Sequence, residues 1–322
     1  MLDIRSFINR NNTKYPLSTE LDIYKLIYQN NLLVGHLLKE TDALSYLDNE
    51  ILNITDFDYE NNKLLYEYIS SDVVRVNIIT FINSFSKDLL IDLFMKTSLI
   101  PTNEKKLLDD VNSFNLDNIY KKYLDKAPSH SEIYRNNYFP HYRIIASQLL
   151  SSDIRAKKFQ KFIDNKRSRN VQIIALEGRC GSGKTTISKM LNDCTIIELD
   201  DHFDGGSNPV NVEYITKLLT DLKNNGEVGK SFTEKCFDCQ TLKYYNKVKQ
   251  ISNIIVVEGV YGYLEVFRKY FDYLAFCVVS KDNQLDRLKQ RSNYLDYINK
   301  WIPREEKYFN SFDFITNADI LI

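Results

Sequence analysis

Apolar residues recur three and four positions apart over 21–33, 43–52, 78–95, 105–114 and 154–163, the spacing that lines one face of a helix. The first half of the chain therefore reads as mainly helical, with one interruption. Residues 63–69 and 73–78 are runs of aromatic, aliphatic and β-branched residues on either side of Ser70-Ser71-Asp72, which predicts a β-hairpin with a short polar turn. Beyond residue 165 the pattern changes. The stretches 171–177, 254–258 and 273–279 are largely apolar, as suits strands buried on both faces of a parallel sheet. Residues 195–199 and 318–322 read as two further strands, and 211–222 and 285–291 as helices. Strands alternating with helices predict an α/β unit.

Composition follows the same division. Nine of the ten glycines lie between 178 and 262 and all five cysteines lie beyond residue 179. The polar stretch 164–170 is the expected join, giving a mainly helical domain over 1–165 and a second domain over 166–322. With 43% hydrophobic and 13% aromatic residues, both halves can build a core. The net charge is −1, with 20 basic against 22 acidic residues up to 165 and 22 against 21 after it, so no basic stripe asks for nucleic acid. No apolar run approaches the roughly 18 residues of a membrane span, the first residues lack a signal-peptide core, and an odd cysteine number suits a reducing compartment. A cytoplasmic protein with neither membrane nor nucleic acid as partner is expected.

The chemistry concentrates at Gly178-Arg179-Cys180-Gly181-Ser182-Gly183-Lys184-Thr185-Thr186, which fits G-x-x-x-x-G-K-[ST] at every fixed position, between a strand pattern and a helix pattern. Consecutive backbone N–H groups must curl around a polyphosphate, and glycines allow the backbone angles and close approach that a Cβ would block. Lys184 then reaches the β/γ-phosphates, Thr185 offers its hydroxyl to Mg²⁺, and the helix N-terminus adds partial positive charge. ATP and Mg²⁺ are the cofactors this implies.

Two acidic positions join the loop. Asp200 and Asp201 follow the strand at 195–199, where a carboxylate serves as base or metal partner, or else caps a turn. Glu258 closes the strand at 254–258 and is the expected second acid beside Mg²⁺. Arg287 and Arg291, one helical turn apart, are either solvated surface charge or lid arginines for the transferring phosphate. Cys236 and Cys239 form a C-x-x-C without a second pair, and His36, His130 and His141 are scattered, so no zinc site is expected. Tyr138-Phe139-Pro140-His141-Tyr142-Arg143 is an aromatic cluster around a proline that either lines a pocket or packs between helices, packing being the expected use.

The loop, Asp200-Asp201-His202-Phe203, Phe237-Asp238-Cys239-Gln240-Thr241, Glu258-Gly259, the arginine segment and the last Ala-Asp strand together resemble the uridine kinase and phosphoribulokinase group of P-loop kinases, over about residues 170–322. The resemblance implies a P-loop kinase-like parallel sheet of five strands flanked by helices, and transfer of the ATP γ-phosphoryl group to a hydroxyl of a nucleoside-like or sugar-like small molecule. It places Asp200 at the acceptor hydroxyl, Glu258 at Mg²⁺, and Asp201, Phe237, Asp238 and Leu242 around the substrate. Uridine kinases carry a histidine where this chain has Leu242, and a tyrosine where it has Phe237, so the polar contacts to a pyrimidine are missing and uridine is expected to be a poor acceptor. The stretch 301–309 is similar to that of bacterial proteins labelled uridine kinase. Two other functions fit the loop alone, a nucleotide-driven switch or ATPase and a nucleotide-sensing regulator acting through the first half; no N-K-x-D guanine signature is present. The first half is expected to shape acceptor access or to join copies in a homo-oligomer.

Overall fold

The computed structural model describes residues 2–33, 40–54, 64–202, 210–238, 241 and 243–322, and divides into two compact units, Met1–Leu150 and Ser151–Ile322. In the first unit β1 (Tyr66–Tyr68), β2 (Val73–Asn77) and β3 (Tyr142–Ala146) form an antiparallel sheet in that order, with Tyr66 opposite Val76 and Val74 opposite Ile145. Helices Ile4–Lys14, Glu20–Leu32 and Glu104–Ser113 cover it, bringing Phe7, Tyr24, Ile27 and Val111 against Ile69, Val73 and Ile144. β1 and β2 are the hairpin read from the sequence; Lys63 lies outside the described residues. The segment 78–95, expected as one helix, is two, Ile78–Ile82 and Lys87–Ser98. Ser86 breaks it, because its Oγ accepts from the Leu89 N–H and so caps a new helix. In the aromatic stretch 138–143, Tyr138 packs its ring 4.9 Å from that of Tyr15 at the end of helix Ile4–Lys14, Phe139 ends its own helix at φ +45° and Tyr142 begins β3, while Tyr138, Pro140, His141 and Tyr142 line a small cavity.

His130 sits in a buried network of this unit. Its Nδ1 donates to Asp22 at 2.9 Å and its Nε2 faces the Tyr142 hydroxyl at 2.8 Å. Burial pushes its pKa down to about 4, despite the hydrogen bond to Asp22. His141 pairs with Glu50 at 3.0 Å, and His36 lies outside the described residues.

The second unit is built on β4 (Gln172–Gly178), β5 (Thr195–Glu198), β8 (Ile254–Glu258), β9 (Tyr273–Cys277) and β10 (Ile320–Leu321), all parallel, in the spatial order β10-β9-β4-β8-β5. Successive side chains of a strand point to opposite faces. Ile173, Ile255 and Val257 therefore join Leu219 and Phe267 on one face, while Ile174, Leu176, Ile254 and Val256 join Phe159, Ile163 and Ile187 on the other. β6 (Ser231–Asp238) and β7 (Lys243–Gln250) make a separate antiparallel hairpin out of the stretch that contains Cys236.

The two-unit division falls earlier than the polar stretch 164–170. Helix Ser152–Lys166 belongs to the second unit, since Ala156, Phe159 and Ile163 cover its sheet. From the same helix the buried Arg155 donates to the carbonyls of Ser182 at 2.7 Å, Val278 at 3.1 Å and Ile322 at 2.9 Å. Among the described residues no helix is long and apolar enough to cross a membrane.

Candidate active site

β4 delivers its last residue, Gly178, to the start of the loop at φ +149°, paired with Cys277 of β9. A Cβ there would lie 2.7 Å from the Cys277 carbonyl oxygen, so only glycine lets the two strands end together. Gly183, at φ +95°, is the N-cap of helix Lys184–Ser188. The loop is held from behind by cations: Arg155 on the Ser182 carbonyl and Arg287, whose Nη1 donates to Gly181 O at 3.0 Å. Lys184 is 7% exposed and folds back, its Nζ donating to Gly178 O at 2.6 Å and Arg179 O at 3.1 Å. An ammonium parked on loop carbonyls is one that an arriving phosphate can draw away at the cost of two neutral acceptors.

Beside the loop lies a cavity of about 500 Å³, onto which Lys184, Thr185, Asp200, Glu258, Arg291 and Glu305 all open. Asp200 and Glu258 reach it from the carboxyl ends of the neighbouring strands β5 and β8, where open α/β sheets bind ligands. Glu258 is 4% exposed, and burial pushes its pKa up to about 6 although it accepts a hydrogen bond from Thr185 and feels the charge of Lys184. A buried carboxylate against a threonine hydroxyl, with its charge poorly compensated, is a donor set that fits a hard divalent cation.

The other residues singled out in the sequence are divided between the cavity and its surroundings. Arg287 serves the loop backbone while Arg291 lines the cavity, its Nη1 donating to the Tyr297 hydroxyl at 2.7 Å. Asp201 turns from the cavity to Lys247, at 2.6 Å, and to the Tyr245 hydroxyl, at 3.2 Å. Phe237 and Asp238 end β6 outside the cavity lining, Phe237 beside the Tyr244 ring and Asp238 accepting from the Thr241 hydroxyl at 2.7 Å. Leu242, Cys239, Gln240 and Phe203 lie outside the described residues. His202, Glu234 and Cys236 come together in the interior, but Glu234 already pairs with Lys249 and accepts from His202 at 2.8 Å. Burial works against its charge, yet those two partners keep its pKa below the ordinary value, so no metal is needed to neutralise it.

Sequence reasoning missed the support that helix Ile302–Phe309 gives the loop. Glu306 makes a two-pronged ion pair with Arg179 at 2.7 and 3.0 Å, and Glu305 accepts from the Cys180 N–H at 3.0 Å. Tyr308 donates its hydroxyl to Glu177 at 2.8 Å, which also accepts from the Tyr263 N–H at 2.7 Å. Glu177 is fully buried, and burial lifts its pKa to about 7 against these bonds. The cluster Glu305-Glu306-x-Tyr308 was visible as a local similarity, but nothing in it signals contact with residues more than a hundred positions earlier.

No known sequence family and no curated protein matches the chain. Solved structures do resemble it. A protein described as a possible uridine kinase from Bacillus stearothermophilus is 20% identical, covers 52% of this chain and 97% of its own length, with a TM-score of 0.42. A candidate fructose transport system kinase from a Silicibacter species is 17% identical, covering 54% of this chain and 99% of its own, with a TM-score of 0.38.

Proposed function

We propose that the second unit is an ATP-dependent kinase that phosphorylates a hydroxyl group of a small molecule. The observation that carries this is the meeting of a phosphate loop, with Lys184 and Thr185, and two strand-end acids, Asp200 and Glu258, on one cavity. ATP would lie with its phosphates in the glycine cradle, where Lys184 leaves the carbonyls of Gly178 and Arg179 for the β/γ-phosphates. Thr185 and Glu258 would hold Mg²⁺, which neutralises charge on the phosphate oxygens when bound. Asp200, exposed at the cavity, orients the acceptor hydroxyl and takes its proton as the oxygen bonds to the γ-phosphorus. The bond from that phosphorus to the β–γ bridging oxygen breaks, and its electron pair leaves with ADP. Arg291, which lines the same cavity, would meet the charge on the transferring group, whereas Arg287 holds the loop.

The test is ADP formation by the full chain with Mg²⁺ and ATP, with and without a pooled library of nucleosides, sugars, polyols and amino alcohols. Acceptor-dependent ADP, with a phosphorylated product, supports the proposal. ADP formed at the same rate without any acceptor points to an ATPase instead.

A further inference from the structure

Phosphoryl transfer as derived above leaves one acid of the cavity without a part to play. Glu305 is 4% exposed and lines the cavity, and the Cys180 N–H occupies one position on its Oε2. A carboxylate has about four acceptor sites, so a further donor can be taken up. Burial pushes its pKa up, opposed by the Cys180 N–H and thiol and by the charges of Lys184 and Arg179. Lys184, however, is the group that goes to the phosphates. When Lys184 is drawn to the phosphates, Glu305 keeps only the Cys180 donors and the charge of Arg179 against its burial, and a cation beside it would favour its charged form.

Three aromatic side chains, Tyr261, Tyr297 and Trp301, open on the same cavity. Tyr261 is held at φ +73°, an angle a bulky residue rarely adopts and one that recurs where a side chain must be aimed at a site. Its ring lies 4.8 Å from that of Tyr308, it lines the cavity together with Glu305, and burial with the charge of Glu305 pushes its phenol up to about 12. Tyr297 and Trp301 bound a π-helical turn, a distortion found frequently at functional sites. Both rings already attract cations from the chain, Arg291 at 5.1 Å from the Tyr297 centroid and Arg304 at 5.5 Å from that of Trp301.

Aromatic faces around a desolvated carboxylate are the chemistry that holds an ammonium group, by cation–π attraction and charge-assisted hydrogen bonds. Among the described residues, the charged ones lining the cavity are three acids, Asp200, Glu258 and Glu305, against Lys184 and Arg291. A phosphorylated acceptor would add repulsion, and a neutral one would leave Glu305 uncompensated. Resting on the kinase reading above, we propose that the acceptor carries a protonated amine beside its hydroxyl, the ammonium held by Glu305 and the rings of Tyr261 and Trp301. In the transfer step the amine keeps its proton; only the hydroxyl loses one, to Asp200, as the new O–P bond forms and ADP leaves.

Trp301 is the sole tryptophan of the chain, so its fluorescence reports on this cavity alone. The full chain, with Mg²⁺ and a non-hydrolysable ATP analogue, is titrated at neutral pH with paired probes that differ only in the amine, glucosamine against glucose and ethanolamine against ethylene glycol, and with glucose 6-phosphate as the anion. In at least one pair the amine is expected to half-saturate the emission change at a concentration at least about 10-fold lower than its partner. Glu305→Gln keeps an acceptor for the Cys180 N–H and should close that gap, while Glu305→Asp, which keeps the charge, should retain part of it. Neutral or anionic probes binding as well as amines, no response to any amine, or an undiminished gap in Glu305→Gln would each overturn the proposal. ADP formation is measured separately with ATP. Amine binding without phosphorylation would reject the kinase reading but not the ammonium site, and phosphorylation of the neutral partner alone would reject the ammonium site but not the kinase.

Discussion

Asp200 and Asp201 are adjacent acids with different surroundings, and that separates their roles. Asp200 opens on the cavity, while Asp201 is tied to Lys247 and Tyr245. Asp200→Asn should lower kcat by roughly 10²-fold or more with ATP affinity nearly kept, as loss of a general base does. Asp201→Asn should leave kcat within a few-fold and weaken the hairpin contact, and steady-state kinetics on the two variants would show whether that order is reversed. Glu258 makes a second prediction. With its pKa near 6 in the folded protein it is protonated, and so a poor metal ligand, below that pH. Mg²⁺-dependent ATP-analogue binding should therefore tighten as pH rises through about 6, and Glu258→Gln should flatten the profile; an unchanged slope in calorimetric titrations would remove Glu258 from the metal site. The strand-end position of both acids was legible in the sequence, because a polar residue closing an apolar strand is a local pattern. The commitment of Asp201 to Lys247 was not, since it depends on a hairpin that folds back from 46 residues away.

Helix Ile302–Phe309 acts as a buttress, and its energetics can be read through Glu177. The pKa of Glu177 is raised in the folded state to about 7, so the stability tied to its neutral form is fully present below the ordinary carboxylate value near 4.5 and is lost as pH rises through 7. The Tyr308 hydroxyl favours the charged form by donating to it. Tyr308→Phe should thus destabilise the protein by about 1–3 kcal/mol at pH 8.5, where a buried carboxylate loses a donor, and by less at pH 5.5. Thermal melts at the two pH values would check this; equal losses would mean that Tyr308 contributes packing only. The same helix escaped functional assignment because its contacts with Arg179, Cys180 and Glu177 are side-chain bonds across more than 120 residues, which no periodicity encodes. Within elements, the patterns at 21–33, 171–177 and 254–258 came through well, while 78–95, the longest helix pattern, was split by one capping serine.

At the scale of the molecule the position of helix Ser152–Lys166 matters most. A fragment beginning at Ser151 keeps Phe159 and Ile163 on the sheet and Arg155 on the Ser182 carbonyl; one beginning at residue 166 loses all three. Each lost aromatic or aliphatic core side chain costs about 2–5 kcal/mol, against a domain stability of about 5–15 kcal/mol. The fragment 151–322 should be soluble, melt cooperatively and bind ATP analogues, and 166–322 should not; two fragments of equal stability would show that the helix is dispensable. The sequence by itself determined the phosphate loop, the strands that carry it and the acids at their ends, because each is a local rule of spacing, apolar run or glycine geometry. Tertiary structure alone decided that Arg155 and Arg287 brace that loop, that Lys184 rests on its carbonyls, and that Glu305, Tyr261 and Trp301 share a cavity with Asp200. These depend on which distant side chains the folded sheet and its covering helices bring within a few ångströms, and a linear pattern holds no record of that.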